Sequence, residues 1–202
     1  MSRTLRLKLV YASVAFVLGG LALLVVTTLF RGHESLGAVT VGLVLLLPGR
    51  VQAFFLRKLF RGRRLLDSGE PKQALEQFFA FLDQLSKNPW QKALIWLSWA
   101  IYTPDVVAMA WNNIGACHTN LGNFSQAKRA FLEALVIDPK YPLPHLNLAR
   151  IAIVEGDRPE AEHQLEGARS LGYNSTSIDQ LVDQAQALLA RIEGAGVSSR
   201  VS

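Results

Sequence analysis

Residues 110–139 read AWNNIGACHTNLGNFSQAKRAFLEALVIDP, and the spacing of large and small residues in this stretch decides the fold. Two segments with helical character flank Gly122, a residue type favoured at tight turns. Large side chains at Trp111, Ile114 and Phe131 would fill the space between two paired helices, while small residues would let the backbones approach closely. The small positions are Gly115, Ala127 and Ala134. The stretch therefore predicts a helix-turn-helix unit.

The same pattern recurs along the chain. Positions 34 residues later again alternate large and small residues, namely Leu148, Ala149, Gly156, Ala161, Leu165 and Ala168. A weaker set with the same internal spacing comes earlier: Gly62, Leu65, Gly69, Ala74 and Phe78. Repetition at this period predicts a solenoid, because each helix pair buries its apolar face on the next. We expect repeats at about 55–88, 108–141 and 142–175.

The repeat closely resembles the tetratricopeptide repeat (TPR). It departs from the usual pattern at His118, where Tyr is common, and at Ile114, where Leu is common. The resemblance implies an all-α fold whose first helix in each repeat lines a concave surface. Such a surface holds an extended peptide or a partner helix, so the resemblance implies that the protein binds protein or peptide partners.

The resemblance also selects residues for a peptide-binding groove. Asn113 and Asn147 occupy the same repeat position, Asn120 lies on the helical face of Asn113, and Arg150 follows Asn147 by one turn. Aligned amides can bind a ligand backbone of any sequence. The alternative is that Asn is simply frequent at this position. Family members that grip chaperone C-termini carry basic residues where this chain has Leu143 and Asn147, so that specialisation is not expected.

An insert of 19 residues, about 89–107, separates the first repeat from the second. Its segment 93–102 has no charge, and a helix that is apolar on every side must be buried. Two interpretations remain open. The segment forms either a short helix in the lipid headgroup region, where Trp and Tyr are common, or an extra core helix between repeats.

Apolar residues after the last repeat recur at helical spacing and predict a capping helix over 176–193. Such a helix would bury its apolar stripe on the last repeat and expose its polar face to water. Thr176 and Asp179 are the expected capping pair at its start. Residues 194–202 lack an apolar period and are expected to form a flexible tail.

Residues 1–56 have the composition of a membrane anchor. Leu9 to Phe30 contains 22 residues without a charge, and a helix of that length reaches about 33 Å, enough to cross a bilayer core of roughly 30 Å. A second apolar segment, 36–56, follows after a short connection and is interrupted by Pro48, which is expected to kink the helix or mark its exit. The sequence predicts a transmembrane helical hairpin, with a cleaved signal peptide as the less favoured alternative.

Basic residues set the expected orientation of the hairpin. Ten Lys or Arg and one acid occur through Arg64, a net charge of +9, whereas 11 basic and 15 acidic residues follow, a net charge of −4. The cluster after the second span comprises Arg57, Lys58, Arg61, Arg63 and Arg64. The distribution predicts an integral membrane protein, with both termini in the cytoplasm if the membrane is a bacterial inner membrane. The cluster could also bind anionic lipid headgroups, or act only as a topology signal; nucleic-acid binding is the least favoured interpretation.

No residue pattern predicts catalysis or a cofactor. The four histidines show no metal-ligand spacing with Cys117 or with a carboxylate pair, so we expect neither a metal site nor a cofactor. His118 and His145 fall on repeat framework positions, which favours a packing role. The sequence therefore predicts a non-enzymatic adaptor or scaffold anchored in a membrane. The alternative is a structural or assembly subunit of a larger membrane complex, or of a homo-oligomer, with Ala15 and Gly19 as a helix-packing pair.

Overall fold

The computed structural model describes residues 3–29, 34–97 and 103–201, and within these ranges the chain is helical and contains no strand. The helices are α1 (Arg3–Leu29), α2 (Glu34–Phe55), α3 (Arg57–Asp67), α4 (Pro71–Lys87), α5 (Val106–Asn120), α6 (Phe124–Ile137), α7 (Pro142–Val154), α8 (Arg158–Ser170) and α9 (Ile178–Val201). A 3₁₀ segment covers Pro89–Leu97. Helices α3 and α4, α5 and α6, and α7 and α8 pack as successive pairs, as expected for a TPR-like α-solenoid.

Helices α1 and α2 lie beside each other at the N-terminal end. They cover most of the segments 9–30 and 36–56, while residues 30–33 lie outside the described ranges. Helix α2 continues through Pro48 to Phe55, so Pro48 does not mark the end of this helix. Among the residues that the structure describes, no helix qualifies by length and apolarity as a candidate for crossing a membrane.

In each of the first two helix pairs, a glycine on one helix packs against a phenylalanine ring on the other. A Cβ atom built on Gly62 would lie 2.7 Å from the Phe78 ring, and one built on Gly115 would overlap the Phe131 ring. Both phenylalanines are completely buried. In the third pair the equivalent positions hold Ala149 and Leu165, which pack in one core cluster with Ala168. Ala149 is larger than the glycine of the first two pairs, and Leu165 is smaller than their phenylalanine. The side-chain volume between the two helices is therefore similar in all three pairs.

Left-handed glycines end the first helix of every pair. Gly69, Gly122 and Gly156 have φ values of 82°, 74° and 78°, a region that L side chains avoid. After each glycine, the next backbone N–H donates to the carbonyl five residues back, as from Asn123 to His118. The equivalent bonds run from Glu70 to Leu65 and from Asp157 to Ala152. This arrangement is the Schellman motif, which satisfies carbonyls at a helix end. The weak first repeat thus has the same turn as the strong one.

The insert packs against the repeats over the part that is described. Gln91 and Ile95 are buried, Gln84 Nε2 donates to Gln91 Oε1 at 2.7 Å, and Gln52 Nε2 donates to the carbonyl of Leu94 at 3.3 Å. Trp90 on the opposite side is exposed. The described part of the insert is therefore a 3₁₀ element packed against α2 and α4, whereas a helix was expected over 93–102. Residues 98–102 of that expected helix lie outside the described ranges.

Helix α9 differs from the expected capping helix at both ends. Ser177 and Gln180 form the capping box, because Ser177 Oγ accepts from the N–H of Gln180 and Gln180 Oε1 accepts from the N–H of Ser177. The predicted pair of Thr176 and Asp179 was wrong by one residue. The helix also runs on to Val201, whereas a flexible tail was expected over 194–202; residue 202 lies outside the described residues. The stretch contains no proline, which allows the helix to propagate.

We expect Gly115→Ala to lower the free energy of unfolding by about 1–3 kcal/mol, because the new methyl group would overlap the Phe131 ring. Adding Phe131→Leu should recover much of this loss, since the third pair already combines Ala149 with Leu165. Urea unfolding of the full chain followed by circular dichroism measures both changes. Gly49→Ala, at a position with nothing within 4 Å of the new Cβ, serves as the control. Unchanged stability in Gly115→Ala would contradict the packing described.

Candidate peptide-binding groove

The first helices of the last two pairs and the capping helix lie side by side, in the order α5, α7, α9. A chain of hydrogen bonds crosses them. Asn147 Nδ2 donates to Asn112 Oδ1 at 3.0 Å, and Arg150 Nη1 donates to Asn147 Oδ1 at 3.0 Å. Arg150 Nη2 then donates to Gln184 Oε1 at 2.9 Å. Neutral amides and one guanidinium therefore connect three helices across one surface.

A fourth contact brings the middle of α9 back to the end of α5. Arg191 Nη2 lies 3.5 Å from Asn120 Oδ1, and the Ile192 side chain lies 3.3 Å from the position of a Cβ on Gly122. Gln184 lies 34 residues after Arg150, so α9 occupies the place of a further first helix. Where an ordinary repeat would turn, α9 continues and reaches the end of α5.

These helices enclose an open cavity of about 470 Å³. Its lining comes from α5 (Thr119, Asn120), α7 (Arg150) and α9 (Gln184, Ala187, Leu188, Arg191). No carboxylate is among these lining residues. We call this cavity, with Arg150 and Arg191 in its wall, the cationic pocket. Its size lies within the range of small-molecule and peptide side-chain pockets.

The structure brings three of the four predicted groove residues together. Asn120 and Arg150 line the cationic pocket, and Asn147 is bonded to Arg150. Asn113 lies apart from this hydrogen-bond chain and is buried. The amide that Asn147 contacts on α5 belongs instead to Asn112, one position earlier. The two predicted amides are therefore not equivalent in the structure. The Asn147 side chain is hydrogen-bonded to Asn112 on α5, and the Asn113 side chain is buried.

Burial governs the electrostatics of Arg150. Desolvation lowers the pKa of its guanidinium below its ordinary value, and an interaction with Tyr173 acts in the opposite direction. Its Nε atom is buried and has no hydrogen-bond partner. The described ion pairs include no carboxylate beside Arg150; its acceptors are the amide oxygens of Asn147 and Gln184. Among the described side chains, the hydrogen-bond acceptors of this partly buried cation are therefore neutral amides.

His118, His145 and Cys117 pack in the framework of the repeats. His145 Nδ1 lies 2.7 Å from Gln164 Oε1 on the paired helix. Burial, and secondarily Arg129, lowers the pKa of His118, which keeps this imidazole neutral at physiological pH. Cys117 is completely buried, and burial raises the pKa of its thiol to about 12. Among the described residues, no group of three His, Cys, Asp or Glu side chains is arranged to hold a metal ion.

The five basic residues of α3 separate into two groups. Lys58 donates to the carbonyl of Ala80 at 3.1 Å, and Arg63 lies 3.8 Å from Asp67. The other three, Arg57, Arg61 and Arg64, are exposed at helical spacing on one face, together with the partly exposed Phe60. The Arg57 guanidinium also lies over the Phe54 ring, 5.7 Å from its centroid. Helix α3 therefore presents three arginines and one aromatic ring on its outer face.

Residues 108–141 match the tetratricopeptide repeat in a comparison with known families. This range coincides with the central repeat predicted from the sequence, which comprises α5 and α6. The chain matches no curated protein and no solved structure. A TPR unit is thus present, and such repeats typically bind protein partners.

We expect Cys117, the single cysteine of the chain, to react very slowly with a thiol reagent such as DTNB at pH 8. A rise in pKa from 9.0 to about 12 reduces the thiolate fraction about a thousandfold, and burial blocks access as well. The same sample unfolded in urea should react at the ordinary rate. Rapid reaction of the folded protein would show that Cys117 is accessible and would contradict its packing between helices.

Proposed function

We propose that this protein is a non-enzymatic adaptor, anchored in a membrane by α1 and α2, that binds partner proteins on the face formed by α5, α7 and α9. The observation that carries the proposal is the cationic pocket on the inner side of a TPR repeat. Side chains from three separate helices converge on it, and it is open to solvent. Hydrogen-bond donors set around a cavity of this size suit recognition of a peptide segment.

The polar character of this face supports binding rather than simple packing. Amide and guanidinium groups line the cationic pocket, whereas the helix-pair interiors hold Phe78, Phe131 and Leu165. Amides both donate and accept hydrogen bonds, so Asn120 can contact the backbone of a peptide of varied sequence. Anchoring would confine partners near the bilayer and raise their effective concentration at the groove.

The membrane part of the proposal is supported by the sequence and by exposed apolar side chains. Residues 9–30 carry no charge, and on α1 the exposed fractions of Phe16, Val17 and Leu24 are 84%, 65% and 61%. Leaving such side chains in water costs about 1.5–3 kcal/mol each relative to burial. A bilayer would cover them. The exposed face of α3 would then lie at the headgroups, where Arg57, Arg61 and Arg64 attract anionic lipid.

A second candidate function, a structural subunit of a larger membrane complex, is favoured by the same exposed face of α1. Apolar side chains that lipid would cover could instead contact another protein. Gly19 has nothing within 4 Å of a built Cβ, so it is not used in a close contact between α1 and α2 and is free for a contact with another chain. Replacing the hairpin by an unrelated anchor separates the two functions: the adaptor would keep its partners, and the subunit would lose its assembly.

We expect the full chain, expressed in a bacterial host, to stay in the membrane pellet after extraction with alkaline carbonate. Leu21→Arg combined with Leu45→Arg should move it to the supernatant, because an arginine at the centre of a span costs about 3 kcal/mol. The matched control is Leu132→Arg with Val136→Arg on the exposed face of α6, which should leave the protein in the pellet. Release of the unmodified protein by carbonate would disprove the anchor.

We expect a photocrosslinking amino acid at Ala187, in the cationic pocket, to capture discrete partners in native membranes. The same amino acid at Leu132, exposed on the outer helix α6, should capture none of these partners. Mass spectrometry of the crosslinked species identifies both sets. Equal capture at the two positions, or no capture at either, would refute partner binding at this groove.

A further inference from the structure

The second helices of the helix pairs, α4, α6 and α8, form the outer side of the solenoid, away from the candidate groove. Helix α6 exposes aliphatic side chains on this side, because the exposed fractions of Leu132 and Val136 are 52% and 76%. The equivalent positions of the third pair, 34 residues later, hold Glu166 and Ser170, which are also exposed. The repeat fold therefore does not require aliphatic side chains at these positions.

A cavity of about 460 Å³ adjoins this face of α6, between α4 and α6. Ile114 and Ala130 form its buried part, and the exposed ring of Phe79 on α4 lines one side. Exposed polar side chains of α6 line the other side, namely Gln126, Arg129 and Glu133. We call this cavity, with Leu132 and Val136 beside it, the outer patch.

Two opposite charges on the outer patch form no ion pair within the described residues. Arg129 and Glu133 are both exposed and lie one helical turn apart on α6. The described ion pairs join neither residue to the other or to any further side chain. The outer helix α8 differs, because at the same spacing Arg158 pairs with Glu162 at 3.0 Å. The charges on α6 are therefore available to another molecule.

A second copy of this chain matches these charges when the two α6 helices run antiparallel. In a two-fold symmetric contact one patch meets itself, so an Arg129–Glu133 contact in one direction implies the same contact in the other. Each dimer would thus contain two ion pairs between copies. Parallel helices would instead place each charge opposite a like charge, which is unfavourable.

The same antiparallel register brings the apolar parts of the outer patch together. When position 129 lies opposite 133, position 126 lies opposite 136, because each is three residues further along its helix. Gln126 lines the cavity, so Val136 of the second copy reaches the cavity there. Leu132 lies between the two charges along the helix, which places it near the two-fold axis. Apolar and charged groups are therefore complementary in one arrangement.

We infer that the outer patch is a homodimer interface, in which two copies of the chain pack α6 against α6 in antiparallel orientation. Arg129 and Glu133 form the ion pairs between copies, and Val136 of each copy covers the cavity of the other. The contact uses one helix and its neighbour from each copy, which is small for a specific interface, so we expect a reversible dimer that increases with protein concentration. The inference does not depend on the proposed function, because α5, α7 and α9 lie on the other side.

The first test is multi-angle light scattering of the full chain in mild detergent over a concentration series, with the detergent mass subtracted. We expect a monomer–dimer equilibrium. Arg129→Glu and Glu133→Arg should each raise the dissociation constant about tenfold or more, because each creates two like-charge contacts in every dimer. The matched controls are Arg158→Glu and Glu162→Arg on α8, which change the net charge equally and should dimerise as the unmodified chain does.

Mixing the two α6 variants separates a lost contact from a damaged fold. A copy with Arg129→Glu carries two acidic side chains on the outer patch, and a copy with Glu133→Arg carries two basic ones. The mixture should therefore form heterodimers about as well as the unmodified chain forms homodimers, measured by pull-down of an untagged variant with a tagged one. The double variant should also dimerise. Failure of both the mixture and the double variant to dimerise would overturn the interface.

Disulfide trapping in intact host cells tests the position of the two-fold axis. Leu132→Cys, oxidised with copper–phenanthroline and dioxygen, should give a disulfide-linked dimer, because the two thiols lie near the axis. The unmodified chain, whose single cysteine Cys117 is buried, should give none, and neither should Glu166→Cys at the equivalent position of α8. A chain that stays monomeric at all concentrations, a dimer unaffected by Arg129→Glu, or capture of a different protein at Leu132→Cys would each overturn the inference.

Discussion

The closeness of paired helix backbones is the constraint on which the repeat domain depends. A residue without a side chain at Gly115 lets the Phe131 ring lie against the opposite helix, and Gly62 does the same for Phe78. This contact sets the distance between the helices of a pair. The left-handed glycine seven residues later sets the direction in which the chain turns back. Because both features recur, successive pairs stack in the same way and leave their first helices on one side.

The regular part of this arrangement could be predicted from sequence spacing, since the packing of each pair depends on a few residues at fixed separation. The TPR unit at 108–141 was confirmed, and Gly69 and Gly156 have the turn geometry that their spacing predicted. The irregular parts could not be predicted so well. The insert packs through Ile95 and the Leu94 carbonyl against residues distant in sequence, such as Leu56 and Gln52, and no local pattern shows which side is buried. Helix α9 likewise continues to Val201, although residues 194–201 carry no apolar period that would predict a helix.

The residues of the candidate groove likewise include some that the sequence predicted and some that it did not. Repeat position and helical spacing placed Asn120, Asn147 and Arg150 on one surface, and the structure brings these three side chains together, because positions on first helices align when pairs stack. It missed Asn112, Gln184 and Arg191. A signal for Gln184 was present, since it lies 34 residues after Arg150, but the capping helix was interpreted as a cover for apolar surface rather than as a wall of the groove. Arg191 follows no repeat rule, because an ordinary unit would already have turned before that position.

The junction between α2 and α3 has a mechanical consequence. Only Leu56 separates the two helices, its side chain is fully buried, and backbone hydrogen bonds continue across it from Leu56 to Gln52 and from Phe60 to Leu56. Edge-to-face contact of Phe55 with Trp90 braces the same point from the side. The solenoid is therefore joined to the N-terminal hairpin through a nearly continuous helix rather than through a flexible linker. A rotation of the hairpin would swing the far end of the solenoid through an arc, so torque at one end of the molecule becomes displacement at the other.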